Sequence, residues 1–258
     1  MIKIGEKIVA LIPDDLDAWR ALGFSYDQLG KLAESEANFE QARDCYAKTL
    51  EIFEKNAASA PDDVQTLDVL VLPCIRLAEL SERTGSRGQA KKYYAKGAEV
   101  KAKIVAQAPD DLDELSVLSY LCRNAGHFSN LEGDRQEAKQ YFAKALEASK
   151  KVAELTPDAL EPLRELCVAY EGLGDIAKAE GDRRQAREDY EKALEIDVKI
   201  LAQTPDDPLA QRNLSVTYMR FSDLANKEGD RGQAQEYLAK AFEILKRLAA
   251  QAPNNPDA

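Results

Sequence analysis

The sequence predicts an all-α solenoid built from antiparallel helix pairs, and three observations carry that prediction. Pro13, Pro61, Pro109, Pro157, Pro205 and Pro253 follow one another every 48 residues, with no insertion or deletion. A fixed period of this size marks stacked repeats. Other positions keep the register: leucine nine residues after each of the first five prolines (Leu22, Leu70, Leu118, Leu166, Leu214) and alanine 29 after (Ala42, Ala90, Ala138, Ala186, Ala234). Lysine follows at 35 (Lys48, Lys96, Lys144, Lys192, Lys240) and glutamate at 38 (Glu51, Glu99, Glu147, Glu195, Glu243). Finally, apolar residues recur at helical spacing and nothing in the chain reads as a strand.

Taken in order, residues 1–12 continue the pattern backward. Lys7 aligns with Lys55 and Lys103, and Ala10 with Ala58 and Ala106. This stretch is expected to be the end of a second helix whose partner is missing. Repeats then occupy 13–60, 61–108, 109–156, 157–204 and 205–252, and 253–258 would open another. Solenoids usually end in repeats with a polar outer face, and no such cap is visible. The expectation is therefore a segment of a longer protein.

Within each repeat a first helix, A, begins at the Asp-rich step after the proline, as in Pro109-Asp110-Asp111. An aspartate there can accept hydrogen bonds from the free amides of the first turn. Asp207-Pro208 fits a cap followed by proline at the first helical position. The stripe Leu115, Leu118, Cys122, Ala125 and Phe128 marks the packed face of helix A in the third repeat. Helix A stops at glycine in three repeats (Gly133, Gly181, Gly229), the residue that tolerates the left-handed backbone of a helix end. In the second repeat Pro73 lies mid-helix. It removes one backbone bond and crowds the carbonyl four residues back, so a kink is expected.

A second helix, B, begins at once. Asp134…Glu137 is a capping box, repeated as Ser86…Gln89, Asp182…Gln185 and Asp230…Gln233, with Asn38…Gln41 a near variant. Both helices come to about 20 residues, or about 30 Å.

Composition narrows the function. A net charge of −11 with 31% charged residues fits a solvated helical surface and argues against duplex nucleic acid, which needs a basic stripe. The apolar runs Ile8–Ile12 and Val69–Leu72 are far too short to span a bilayer, so no membrane contact is expected. The N-terminus is not expected to be a signal peptide, because its apolar residues belong to the repeat register. Cys45, Cys74, Cys122 and Cys167 form no CxxC pair. They read as reduced, buried thiols packing as small hydrophobes. Cys74 and Cys122 share a register, but helices packed about 8–10 Å apart exceed the disulfide range of about 4–7 Å. Reduced thiols point to the cytoplasm. His127 is the lone histidine, and no GxSxG, Walker, HExxH or GxGxxG motif is present. No enzyme, cofactor or metal site is expected.

The stretch Gly229–Ala241 closely resembles the second helix of a tetratricopeptide repeat, and Pro253-Asn254-Asn255 that family's inter-repeat turn. The family's Leu-Gly pair maps onto Leu29-Gly30 and Leu173-Gly174. Its helix-B aromatic maps onto Tyr46, Tyr94, Phe142 and Tyr190, with Leu238 departing. Its first aromatic maps onto Tyr26, Tyr170 and Tyr218, with Cys74 and Cys122 departing. Against the usual 34 residues, the 48-residue spacing adds 14, about two turns on each helix.

The resemblance implies a right-handed α–α superhelix, with helix A lining a concave groove for a protein or peptide. Carried over by position, the groove would present Phe24, Asp27 and Lys31 in the first repeat, Val168, Glu171 and Asp175 in the fourth, and Val216, Met219, Arg220 and Asp223 in the fifth. The second repeat offers Leu72, Ile75, Arg76 and Glu79, and the third Tyr120, Arg123, Asn124 and His127. These eight residues are the candidate partner-binding set, because Val69–Ile75 is apolar on every side of its helix. The surplus marks either an exposed patch or tighter local packing. The chaperone-tail clamp of the family is not expected, since Asp27, Gly172 and Met219 fill its slots. A non-enzymatic interaction scaffold is the first expectation. A sensor or autoinhibitory arm of a larger bacterial signalling NTPase or caspase-like peptidase is the second. Self-association through uncapped ends is a third.

Overall fold

The computed structural model describes residues 2–12 and 15–251, and among these residues the only regular structure is eleven α-helices. Pro13, and the expected start of a further repeat at 253–258 with Pro253, lie outside the described residues. The helices are α1 (Ile2–Leu11), α2 (Leu16–Ser35), α3 (Phe39–Ser59), α4 (Val64–Arg83), α5 (Arg87–Gln107), α6 (Leu112–Leu131), α7 (Arg135–Leu155), α8 (Leu160–Glu180), α9 (Arg183–Gln203), α10 (Pro208–Glu228) and α11 (Arg231–Gln251). From α2 onward, even-numbered helices start at 48-residue intervals and so do odd-numbered ones from α3.

The starts are set by side-chain caps. Asp15, Asp63, Asp111 and Asp207 each accept from first-turn amides of α2, α4, α6 and α10. Ala159 stands in the same place before α8 and gives no side-chain bond. On the second helices Asn38, Asp134, Asp182 and Asp230 accept from the amide three residues on, at 2.9–3.3 Å. Ser86 corrects the expectation of a fifth such cap: its hydroxyl makes no cap bond. The Gln89 amide instead donates to the Ser86 carbonyl at 3.0 Å, which satisfies the same donor.

The ends of the first helices share one backbone conformation. Gly85, Gly133, Gly181 and Gly229 have φ of 74–87°. In the first repeat that position is Ala37, at φ 58°. A residue with a Cβ held there costs about 1–2 kcal/mol, less the entropy that glycine restores to the unfolded chain. Ala37→Gly is therefore expected to stabilise the protein by about 0.5–1 kcal/mol, read as a higher urea midpoint with unchanged slope.

The chain divides into two compact units, residues 1–132 and 133–258. In the first, an added Cβ on Gly23 would meet the Phe53 ring at 2.4 Å, and one on Gly30 the Tyr46 ring at 2.5 Å. These glycines let α2 lie close on α3. Thr49 Oγ1 donates to the Gly23 carbonyl across the same seam. Farther along, Tyr94 of α5 stacks on Phe128 of α6, with ring centroids 5.9 Å apart. In the second unit, Gly172 accommodates Phe142, and Gly174 accommodates Tyr190 at 2.5 Å from the ideal Cβ. Tyr190, Phe221 and Tyr237 continue the aromatic core.

Pro73 sits buried inside α4, which runs unbroken from Val64 to Arg83 and matches α2 and α6 at 20 residues. All four cysteines are buried and free. Burial pushes the Cys74 thiol up to about 12, leaving it an inert packing group.

Candidate partner-binding face

The eight candidate residues all lie in the first unit, on α4 and α6. Leu72, Ile75, Arg76 and Glu79 stand at i, i+3, i+4 and i+7 along α4, so they share one face. Tyr120, Arg123, Asn124 and His127 hold the same spacing on α6, one repeat later. The two rows meet directly: the Tyr120 hydroxyl donates to Glu79 Oε1 at 3.2 Å. Leu72, Ile75, Arg76, Glu79, Tyr120 and Arg123 are all partly exposed. Asn124 is buried and His127 is exposed.

Each polar side chain is held from within the unit. Arg76 Nη1 lies 3.8 Å from Glu79 Oε2. Arg123 places its guanidinium over the Tyr120 ring, 5.2 Å from the centroid, and donates to Asn124 Oδ1 at 3.2 Å. Asn124 returns a bond from Nδ2 to the Tyr120 carbonyl at 3.0 Å. Arg123 thus holds its guanidinium over an aromatic ring on this face. Burial raises the Tyr120 hydroxyl above its ordinary pKa, with Glu79 adding to the effect. Although part of the His127 ring is exposed, desolvation of the rest lowers its pKa, opposed by Glu82 and aided by Arg123 and Arg87. The imidazole is thus neutral at physiological pH and packs edge-on against Phe128.

One supporting residue escaped the sequence reading. Lys101 of α5 is almost fully buried, yet its Nζ reaches Asp68 Oδ1 on α4 at 2.7 Å and Glu114 Oε2 on α6 at 2.5 Å. It ties the two helices that carry the face. Its register mates are Phe53, Ser149, Asp197 and Leu245. A lysine at a position that is aromatic, small, acidic or aliphatic in the other repeats was the available signal.

α2 joins the same side of the unit. Arg20 Nη2 donates to Thr66 Oγ1 at 2.9 Å, and Arg83 of α4 pairs with Glu34. Phe24 is exposed, while Asp27 is buried and paired with Lys31 at 2.8 Å.

The corresponding positions of the second unit also form ion pairs. Arg220 of α10 bonds Glu171 at 3.0 Å and Asp175 at 3.2 Å on α8, and Lys178 bonds Asp223 at 2.8 Å. Charge there is spent on neighbouring charge. Val168 and Val216 are partly exposed, and Met219 is exposed.

Helix pairs repeated at a constant interval, with small residues at each seam and no strand among the described residues, define an α-helical repeat protein. A family model described as tetratricopeptide repeat matches residues 16–56, 121–152 and 168–198. These three segments match tetratricopeptide repeats, a family that generally serves as a protein-interaction scaffold. No curated protein matches it. Among solved structures it is similar to BtubC from P. vanneervenii, with 19% identity over 99% of this chain and 89% of that one, at a TM-score of 0.63. It is also similar to a Podosopora anserina protein with nearly identical TPR-like repeats (18% identity, 92% and 98% covered, TM-score 0.55). The apo form of RapI aligns at 11% identity, 97% and 90% coverage and a TM-score of 0.52. At these identities the likeness is one of fold. Among the described residues no helix is long and apolar enough to cross a membrane.

Proposed function

We propose that the chain is a non-enzymatic scaffold that binds an extended or helical segment of another protein on the α4–α6 face. One observation carries the reading: Leu72 and Ile75 stay partly exposed on α4, on the helix face whose Glu79 meets Tyr120 of α6, itself capped by the Arg123 guanidinium. That combination suits a partner with an apolar anchor and a nearby acidic or C-terminal group. The net charge of −11 favours a protein partner over duplex nucleic acid. Four buried free thiols suit a reducing, cytoplasmic setting.

Titrating candidate peptides against wild type and Ile75→Asp tests the reading. The variant puts an unpaired charge where an apolar anchor would be desolvated. Affinity should fall by about tenfold or more, the equivalent of about 1.4 kcal/mol, while Ile75→Val stays near wild type. Equal affinity for wild type and Ile75→Asp would remove this face from the account.

A second contact surface is favoured by α11. Leu238 is 54% exposed, whereas its register mates Tyr46, Tyr94, Phe142 and Tyr190 are buried. Phe242 and Leu245 are exposed on the same helix. We infer that another copy packs there. Light scattering across a dilution series checks it, and a strict monomer at the highest concentration would discard it.

A further inference from the structure

In the second unit a polar cluster lies buried between α8, α9 and α10. Glu171 of α8, Asp197 of α9 and Thr217 of α10 are 9%, 2% and 0% exposed. Thr217 Oγ1 stands 2.9 Å from Glu171 Oε1 and 2.6 Å from Asp197 Oδ2. The other Asp197 oxygen, Oδ1, accepts from the Cys167 thiol at 3.3 Å.

The hydrogens at Thr217 do not suffice for two carboxylates. A hydroxyl carries one hydrogen and a carboxylate only accepts. With both acids ionised, one of the two short oxygen–oxygen contacts would have no hydrogen in it and would set lone pairs against each other. A proton on one acid completes the chain. Asp197 Oδ2–H then donates to Thr217 Oγ1, whose own hydrogen goes to Glu171 Oε1, and Glu171 keeps its ion pair with Arg220. Asp197 is the acid without a cation in contact, which makes it the holder.

We propose that Glu171 and Asp197 share one proton through the Thr217 hydroxyl, and that this proton is a latch holding α8, α9 and α10 together. The charged and titratable groups around it are Arg164, Cys167, Glu171, Asp175 and Lys178 from α8, Tyr190 and Asp197 from α9, and Arg220 from α10. Arg164 is engaged with Asp207 at 2.7 Å, and Asp175 accepts from Tyr190 at 2.6 Å and from Arg220. Arg220 and Lys178, whose Nζ lies 3.4 Å from Asp175 Oδ1, are thus set against three carboxylates, and losing the proton leaves one buried charge without a counter-ion. Nothing in the partner-binding reading depends on this latch.

Burial raises both acids, and Glu171 is pushed up to about 7, with Arg220 and Thr217 opposing the shift. A carboxyl raised in the folded state stabilises most below its ordinary pKa, and that contribution is lost as pH rises through the folded value. With the proton shared by the pair, its loss spans the raised range of both acids, up to about 7 at Glu171.

Infrared difference spectra of the full chain test the proton directly. A protonated-carboxyl carbonyl band should persist above the ordinary carboxylate range, disappear near neutrality, and be missing in Asp197→Asn, which keeps a donor for Thr217. Amide exchange adds a second readout. The opening constant of α8–α10 should rise up to about tenfold per pH unit across that range, after correction for intrinsic rates, and the slope should vanish in Asp197→Asn. A wild-type protein with no protonated carboxyl above about pH 5 would overturn the latch whether or not the variant folds. So would an unchanged exchange slope in Asp197→Asn.

Discussion

Tyr94→Ala is expected to lower stability by about 3–5 kcal/mol, the range for truncating a fully buried aromatic. Tyr94 is 1% exposed. Its ring stacks on Phe128 and meets Tyr120 edge-on at 6.0 Å, and its hydroxyl lies 3.2 Å from Glu82 Oε2. Truncation opens a cavity beneath Tyr120, so peptide affinity should fall with stability. Tyr94→Phe keeps the rings and loses only hydroxyl contacts, for about 1 kcal/mol. Urea unfolding of the pair separates packing from hydrogen bonding. A Tyr94→Ala loss no larger than that of Tyr94→Phe would mean that the α5–α6 seam is loosely packed.

Gly174→Ala should cost about 1–3 kcal/mol, even though alanine is the better helix former by about 0.5–1 kcal/mol. The new Cβ would stand 2.5 Å from Tyr190 Cε1 and 3.3 Å from the Ala186 carbonyl oxygen. Tyr190 is fully buried and held at its hydroxyl by Asp175, so the ring cannot simply swing away. Gly30→Ala against Tyr46 should behave alike in the first unit, where the Cβ would also lie 2.5 Å from the ring. In contrast, Gly88→Ala meets only a Glu132 carboxylate oxygen at 3.1 Å, and it should be tolerated. Thermal unfolding of the three variants checks the ordering.

Much of the architecture was legible because each repeat restates it. Proline spacing, Asp caps and the glycine stops depend on local backbone chemistry, and local chemistry leaves local signatures. The departures arose where a substitute did the same work in another way. Ala37 takes the left-handed position without being glycine, and Ser86 satisfies its donor through the main chain. Pro73 reads as a source of a kink, and α4 continues as one helix through it from Val64 to Arg83.

The candidate face was legible as a list of positions on helix A. How its charges are engaged was not. Whether Arg123 turns to Asn124 or outward depends on contacts across and along helices that spacing does not encode. The same holds for Lys101 and for the Glu171–Thr217–Asp197 chain. Their registers mix polar and apolar residues from repeat to repeat, and only packing three helices together shows what each meets.

The central claim is that a partner lies along the α4–α6 face of the first unit. Hydrogen exchange of the full chain, with and without a saturating bound peptide, tests it most directly. The account expects new protection in α4 and α6 around Leu72–Glu79 and Tyr120–His127, with the second helices α3 and α5 little changed. Protection confined to α3 and α5, with α4 and α6 unaffected, would contradict it.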